Sequence, residues 1–316
     1  MRKKVVVLGG GTGLSCLLSG LKEYPIDITA IVSVCDDGSS TGILREEFNI
    51  PAVGDVRKVL VALSETEPLV RELFNYRFKT TSDLNGHAVG NLLLTACTEI
   101  RGNLSDGIDA LSKVLNLKGK VVPLTEDNVT LVADMEDGSV VEGQHFITLS
   151  NKKIKKIYYK EESTPTKEAI DAIVNADLII LSMGSLFTSI IPNLICKDIV
   201  KAIDSSKAKM MYVCNMMTQP GETDNFSVTD HVDMLNSYLG KKKIEVVIAN
   251  NGVIDSTLAS KYETLEQKDA VRFNEEDFKK YDMKVISDDL VTINNNMIRH
   301  NNLKLGFLIF FYLMQM

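Results

Sequence analysis

The chain has 316 residues, 45% of them hydrophobic and 24% charged. That is the balance of a globular protein with ample core, not of a disordered one. Lys and Arg number 35 against 42 Asp and Glu, a formal net charge of -7, which argues against a nucleic-acid binder but leaves room for a local basic pocket.

Val5–Leu8 is a short β-branched run that stops at Gly9-Gly10-Gly11-Thr12-Gly13, and Leu14, Leu17, Leu18 and Leu21 follow at helical spacing. A second strand, Ile28–Val34, runs into Cys35-Asp36-Asp37-Gly38-Ser39-Ser40-Thr41-Gly42. Strand, glycine turn, helix and strand in this order open a parallel α/β sheet. A helix is expected over Ala88–Glu99 and a buried strand at Lys120–Leu124. Next, Val129–Ala133 and Ser139–Glu142 flank Glu136-Asp137-Gly138, a hairpin signal, and alternation resumes at His145–Leu149 and Ile154–Tyr159. Helices Thr166–Val174 and Pro192–Ala202 then alternate with strands Leu178–Leu181, Met210–Cys214 and Glu245–Ala249. The expectation is one α/β domain over residues 1–316, a parallel sheet with an antiparallel β insertion at 126–160. Gly306–Phe311 is apolar all round, as in a helix that is buried or lies at an interface.

Gly9 and Gly11 match the first two glycines of a dinucleotide fingerprint, but Leu14 stands at the third position, so NAD is not expected. What remains in Gly10, Gly11, Thr12 and Gly13 is a run of backbone N–H groups at a helix start, suited to a phosphate. The alternative is a tight turn that needs glycine for positive φ. Asp36 and Asp37 fall at the carboxyl end of the second strand, where they could hold a ribose hydroxyl, hold Mg²⁺ beside a phosphate, or close an Asx turn. In Gly54-Asp55-Val56-Arg57-Lys58, Asp55 reads either as a helix cap or as a carboxylate beside two cations that help place metal and phosphate. His87 reads as a general acid or base, or as a structural histidine. Gly184, Ser185 and Thr188, then Asn215, then Asn250, lie on loops that follow strands and should reach the same sheet edge. Zinc is not expected: there is no H-E-x-x-H, and Cys16, Cys35, Cys97, Cys196 and Cys214 are scattered with no C-x-x-C pair. Gly-x-Ser-x-Gly is absent too. No apolar run reaches the roughly 20 residues of a membrane helix, and Val5–Leu8 is too short for a signal-peptide core, so a cytoplasmic protein without membrane contact is expected.

The strings VVVLGGGTGLS, VSVCDDGSSTGILR, GDVRKVL, NGHAVGNLLL, SLFTSIIPNL, CNMMTQPGET and VIANNG together resemble the YvcK-type gluconeogenesis factor family, within the superfamily of the CofD 2-phospho-L-lactate transferases. The resemblance runs from Val5 to His300. It implies a Rossmann-like three-layer α/β fold, cytoplasmic location, a homodimer, and a role in morphogenesis and cell-wall precursor control under gluconeogenic growth. It also implies binding of a UDP-sugar such as UDP-N-acetylglucosamine, with enzymes of cell-wall precursor supply as partners. By the same resemblance, Asp36, Asp37 and Asp55 match acidic positions used around a divalent metal, tentatively Mg²⁺, and phosphate. The glycine turn and the Ser185–Thr188 loop match nucleotide contacts, and Arg299 of Arg299-His300 matches a UDP-sugar contact. Asn215 and Asn250 are assigned to uracil, ribose or sugar. Relatives carry Gly-Pro-Gly-Ser where this chain has Ser182-Met183-Gly184-Ser185, and a side chain at Ser182 should restrict backbone approach to a ligand. The leading expectation is a UDP-sugar-binding regulator. The second is a Mg-dependent phosphotransferase acting on a nucleotide-diphosphate donor, with Asp36, Asp37 and Asp55 as its catalytic carboxylates.

Overall fold

A computed structural model of the chain describes residues 2–254, 262–264, 266–294 and 297–316. Seven parallel strands form its central sheet in the order β10-β9-β8-β7-β1-β2-β3. They are β1 (Lys4–Gly9), β2 (Asp27–Val32), β3 (Lys120–Pro123), β7 (Leu178–Leu181), β8 (Lys209–Val213), β9 (Val246–Asn250) and β10 (Lys284–Asp288). Alternation along β1 explains the layering: Val5 and Val7 enter one apolar core, Val6 and Leu8 the other. The first core is closed by α1 (Gly11–Leu21), α3 (Gly54–Leu63) and the helices Val89–Arg101, Leu104–Val114 and Asn302–Met314. Between β2 and α3 lies α2 (Ser39–Phe48). The second core is closed by the helices Lys167–Val174, Lys197–Ser205 and Val228–Tyr238 and by a small antiparallel sheet. The result is the expected Rossmann-like α/β fold, sheet between two covering layers.

The antiparallel segment is present, with β4 (Leu131–Met135) between β5 (Val140–Glu142) and β6 (Ile154–Tyr159). The Asp137-Gly138 turn has Gly138 at φ +84, and Asp137 Oδ1 accepts the Ser139 N–H at 2.9 Å. His145–Leu149 is not a strand. Residues Gln144–Leu149 form a helix, entered through Gly143 at φ 94, and only Ile147 of it is buried while Phe146 and Leu149 are exposed. Nor is Pro192–Ala202 one helix. A π-turn at Leu186–Ile190 leads into Pro192–Ile195, and Cys196, buried in extended backbone at ψ 112, separates that turn from Lys197–Ser205.

Among the described residues, the strands beyond the expected ones are the edge strand β10, whose residues Val285–Asp288 are only partly buried, and the hairpin of β11 (Val291–Asn294) with β12 (Met297–His300). The helix Asn302–Met314 crosses α1 where two glycines meet; a Cβ on Gly20 would stand 1.9 Å from the Asn302 carbonyl oxygen. Its stretch Gly306–Phe311 is apolar all round, yet the helix is buried on one side only. Leu305, Ile309 and Leu313 face the core, and Leu303, Phe307, Phe311 and Met314 are exposed. Among the described residues no helix is long and apolar enough to cross a membrane.

Candidate functional site

From β1 the chain adds β2 and β3 on one side, and the later strands β7 to β10 build the other side. The order therefore reverses between β1 and β7, and in open parallel sheets the crevice outside the carboxyl ends at such a reversal is where ligands bind. The loops leaving these two strands are Gly9–Gly13 and Ser182–Ser185, and they touch. A Cβ on Gly13 would lie 1.8 Å from the Met183 carbonyl oxygen, so only glycine lets α1 approach the β7 loop this closely. Gly11, at φ +63, turns the chain into α1. Ser182 is turned against Gly9, its Oγ buried without a partner.

Three helix starts gather around two carboxylates. Asp55, in the first turn of α3, directs Oδ2 at Gly10, where a Cβ would be 2.8 Å away, and Asp36 Oδ2 lies beside Gly54 and the Thr41 hydroxyl. Among the described residues, none of the starts of α1, α2 and α3 has a side-chain cap, so N–H groups and partial positive charge remain open for an anion. Burial pushes the Asp36 carboxyl up, and the Asp55 charge adds to this. The Gly38 N–H, Lys58 and Thr41 oppose it. Lys58 Nζ pairs with Asp55 Oδ1 at 2.8 Å. Two carboxylates that repel each other suit a divalent cation, since Mg²⁺ is commonly held by one or two carboxylates together with water and phosphate.

Arg299, on β12, shares a cavity of about 470 Å³ with Thr12, Ser15, Cys16 and Thr292. Its side chain is exposed and, among the described residues, its Nη2 reaches only the Met297 sulfur, at 3.3 Å. The glycine turn and Arg299, far apart in sequence, therefore open onto one space. His300 fixes this strand: its Nε2 is 3.1 Å from the Cys214 carbonyl oxygen, which can only accept, so the ring carries its proton there. Burial pushes the imidazole down to about 4 from its usual 6.5. Between these values the unfolded chain binds a proton that the folded one refuses, so stability falls as pH drops through that window, by up to about 3 kcal/mol. Melting temperature should therefore decline less between pH 6.5 and 4 in His300→Gln than in the unsubstituted protein; parallel declines would contradict this assignment.

Other expected residues are committed elsewhere. Asp37 turns away from Asp36 and Asp55, and its Oδ1 accepts the His145 N–H at 2.8 Å at the start of the helix Gln144–Leu149. The acidic group thus contracts from three residues to two. Among the described residues no three His, Cys, Asp or Glu side chains come together as a metal cluster. Ser185 and Thr188 face a buried carboxylate, Glu222, which accepts from both hydroxyls, from the Phe187 N–H at 3.0 Å and from Gln219 Nε2 at 2.8 Å. Asn215 donates to the Gly184 carbonyl. Asn250 bonds both backbone groups of Gly252 and accepts the Leu290 N–H at 2.9 Å, beside a separate cavity of about 230 Å³. His87 is buried with Nδ1 3.1 Å from the Ser40 hydroxyl. Glu222 was missed in the sequence; the signal available was an acid in a Gln-Pro-Gly-Glu-Thr turn close after a buried strand.

The geometry agrees with comparison to known proteins. The family model described as 2-phospho-L-lactate transferase CofD matches residues 5–291. A gluconeogenesis factor of Bacillus subtilis is 46% identical over 98% of this chain and 97% of its own length. Another, of Halalkalibacterium halodurans, is 44% identical over 96% of this chain and 95% of its own. A crystal structure of a Bacillus halodurans protein superimposes with a TM-score of 0.94 at 43% identity, covering 98% of this chain and 100% of that one. With its parallel sheet, its glycine turn at the strand-order reversal and a match along nearly its whole length, the chain belongs to the CofD family, among relatives that are named gluconeogenesis factors.

Proposed function

We propose that this chain is a cytoplasmic UDP-sugar-binding regulator that adjusts cell-wall precursor supply, and with it cell shape, under gluconeogenic growth. The observation that carries the reading is the cavity shared by Thr12 of the glycine turn and Arg299. A diphosphate there would meet the open N–H groups of α1 on one side and a guanidinium fork on the other. The ligand's sugar would be sensed rather than transformed, and the liganded form would meet enzymes of precursor supply. A homodimer belongs to the same reading, with the exposed stripe Leu303, Phe307, Phe311 and Met314 offering apolar surface.

The second reading, a phosphotransferase, is favoured by the pairing of Asp36 with Asp55. These two carboxylates would hold Mg²⁺, which when bound neutralises charge on phosphate oxygens. Lys58 would hold Asp55 in place, and the uncapped starts of α2 and α3 would face the anion.

Calorimetry with UDP-N-acetylglucosamine, with and without Mg²⁺, followed by chromatography of the recovered nucleotide, separates the two. The regulator predicts binding, intact ligand, and a loss of about tenfold or more in affinity for Arg299→Glu, since a bidentate contact becomes a repulsion. Release of UDP or UMP would put the transferase reading first, and absence of binding would overturn the ligand assignment.

A further inference from the structure

Two buried arginines stand near the crevice, and they are treated differently by the fold. Arg45 is fully engaged: its guanidinium donates to the Asn128 side chain and to the carbonyls of Cys35, Asp36 and Val129. Arg57 is 5% exposed yet, among the described residues, uses only Nη1, toward the Phe74 carbonyl at 3.3 Å and the Asn75 side chain. Its Nε is buried and has no partner among the described residues. Among the described residues no carboxylate lies within 4 Å of either Arg57 or Arg77. Asp55, two residues earlier on α3, is paired with Lys58, and positions two apart on a helix do not face each other.

The surroundings of Arg57 add positive charge. Its shaft lies against the start of the helix Val89–Arg101, where a Cβ on Gly90 would be 2.8 Å from Arg57 Cδ. Among the described residues that helix start has no side-chain cap, and its partial positive charge adds to that of Arg57. Arg77 stands close by, its Nη1 held at 2.7 Å by the Gly86 carbonyl, in a segment bridged to Ala88 just before the same helix. Burial and then the Arg77 charge push the Arg57 guanidinium down, with Asp55 opposing. Beneath the helix start, Asn91 donates to Ser40 while its own Oδ1 is buried with no partner among the described residues. A buried cation beside a second cation and a helix N-terminus is unfavourable until an anion neutralises the group, and a guanidinium with free N–H groups matches the two oxygens of a carboxylate or phosphate.

We propose that Arg57 and Arg77, at the start of the helix Val89–Arg101, form a second oxyanion subsite that takes the carboxylate or phosphate group of a small acidic metabolite. It is separate from the cavity of Arg299, and it stands whether or not a UDP-sugar binds there. The second ligand would serve as a co-substrate or as an effector read together with the first ligand.

The test is thermal melting of the full chain against inorganic phosphate and, separately, malonate, with ionic strength held constant by chloride. A ligand that binds only the folded state raises the melting temperature with concentration. The expected result is stabilisation by at least one anion, an apparent Kd raised about tenfold or more by Arg77→Gln, and a response within about twofold of normal for Lys197→Gln, an exposed cation on the opposite face of the sheet. Arg77 is exposed, so its substitution leaves the core intact; Arg57→Met, which keeps the buried shaft, should abolish the response. A response to malonate alone identifies a carboxylate ligand, and to phosphate alone a phosphate ester. Stabilisation that survives both Arg77→Gln and Arg57→Met, or that is absent in the unsubstituted protein, would overturn the proposal.

Discussion

Gly13→Ala should destabilise the protein by about 3 kcal/mol or more and lower its melting temperature by several degrees. The reason is contact distance. The added methyl would sit 1.8 Å from the Met183 carbonyl oxygen and 2.6 Å from its carbonyl carbon, both backbone atoms that cannot rotate away. Either α1 must lift from the β7 loop or the loop must retreat, and both movements open the core around Leu14 and Met183. Gly184→Ala is the control. It lies in the same contact, but its methyl would meet Ser189 at 3.4 Å and Gly10 at 3.7 Å, which is ordinary packing, so a change within about 1 kcal/mol is expected. Equal melting temperatures for Gly13→Ala and the unsubstituted chain would show that the two loops are not in contact. Loss of stability in both variants alike would place the constraint in crowding along the whole loop rather than in the Gly13–Met183 contact.

The same glycine turn shows how far residues alone can lead. Buried parallel strands such as Val5–Leu8 and Leu178–Leu181 announce themselves, because both faces are covered and every position is apolar. The edge strand β10 and the β11–β12 hairpin did not, since their half-buried positions mix polar and apolar residues. His145–Leu149 alternates as a strand would, but its helix is set by a glycine and by a carboxylate more than 100 positions away, the Asp37 that accepts its first N–H. Placement at the strand ends was therefore legible, whereas partners were not. Nothing in the local sequence of Asp36-Asp37 says that one carboxylate joins Asp55 and its neighbour caps another element. The convergence of Arg299 on the glycine turn likewise depends on where the β11–β12 hairpin docks, with His300 against the Cys214 carbonyl, a long-range contact without a local pattern.

Glu222 gives the second large effect. The family resemblance assigns the Ser185–Thr188 loop to a nucleotide, yet here both hydroxyls and the Phe187 N–H already face an anion that the chain itself supplies. Burial pushes the Glu222 carboxyl up, and the hydrogen bonds from Ser185, Phe187 and Thr188 oppose it. Glu222→Ala would strip a buried acceptor from those donors and from Gln219, at an expected loss of about 3 kcal/mol or more. Glu222→Gln, which keeps one acceptor oxygen, should lose less. Ser185→Ala separates the two roles of the loop. If the hydroxyl serves Glu222, melting falls by the equivalent of about 1–2 kcal/mol while UDP-N-acetylglucosamine affinity stays within about twofold. If instead affinity drops tenfold with melting unchanged, the hydroxyl leaves Glu222 when ligand arrives. The loop would then be an anion site from which the ligand displaces the protein's own carboxylate.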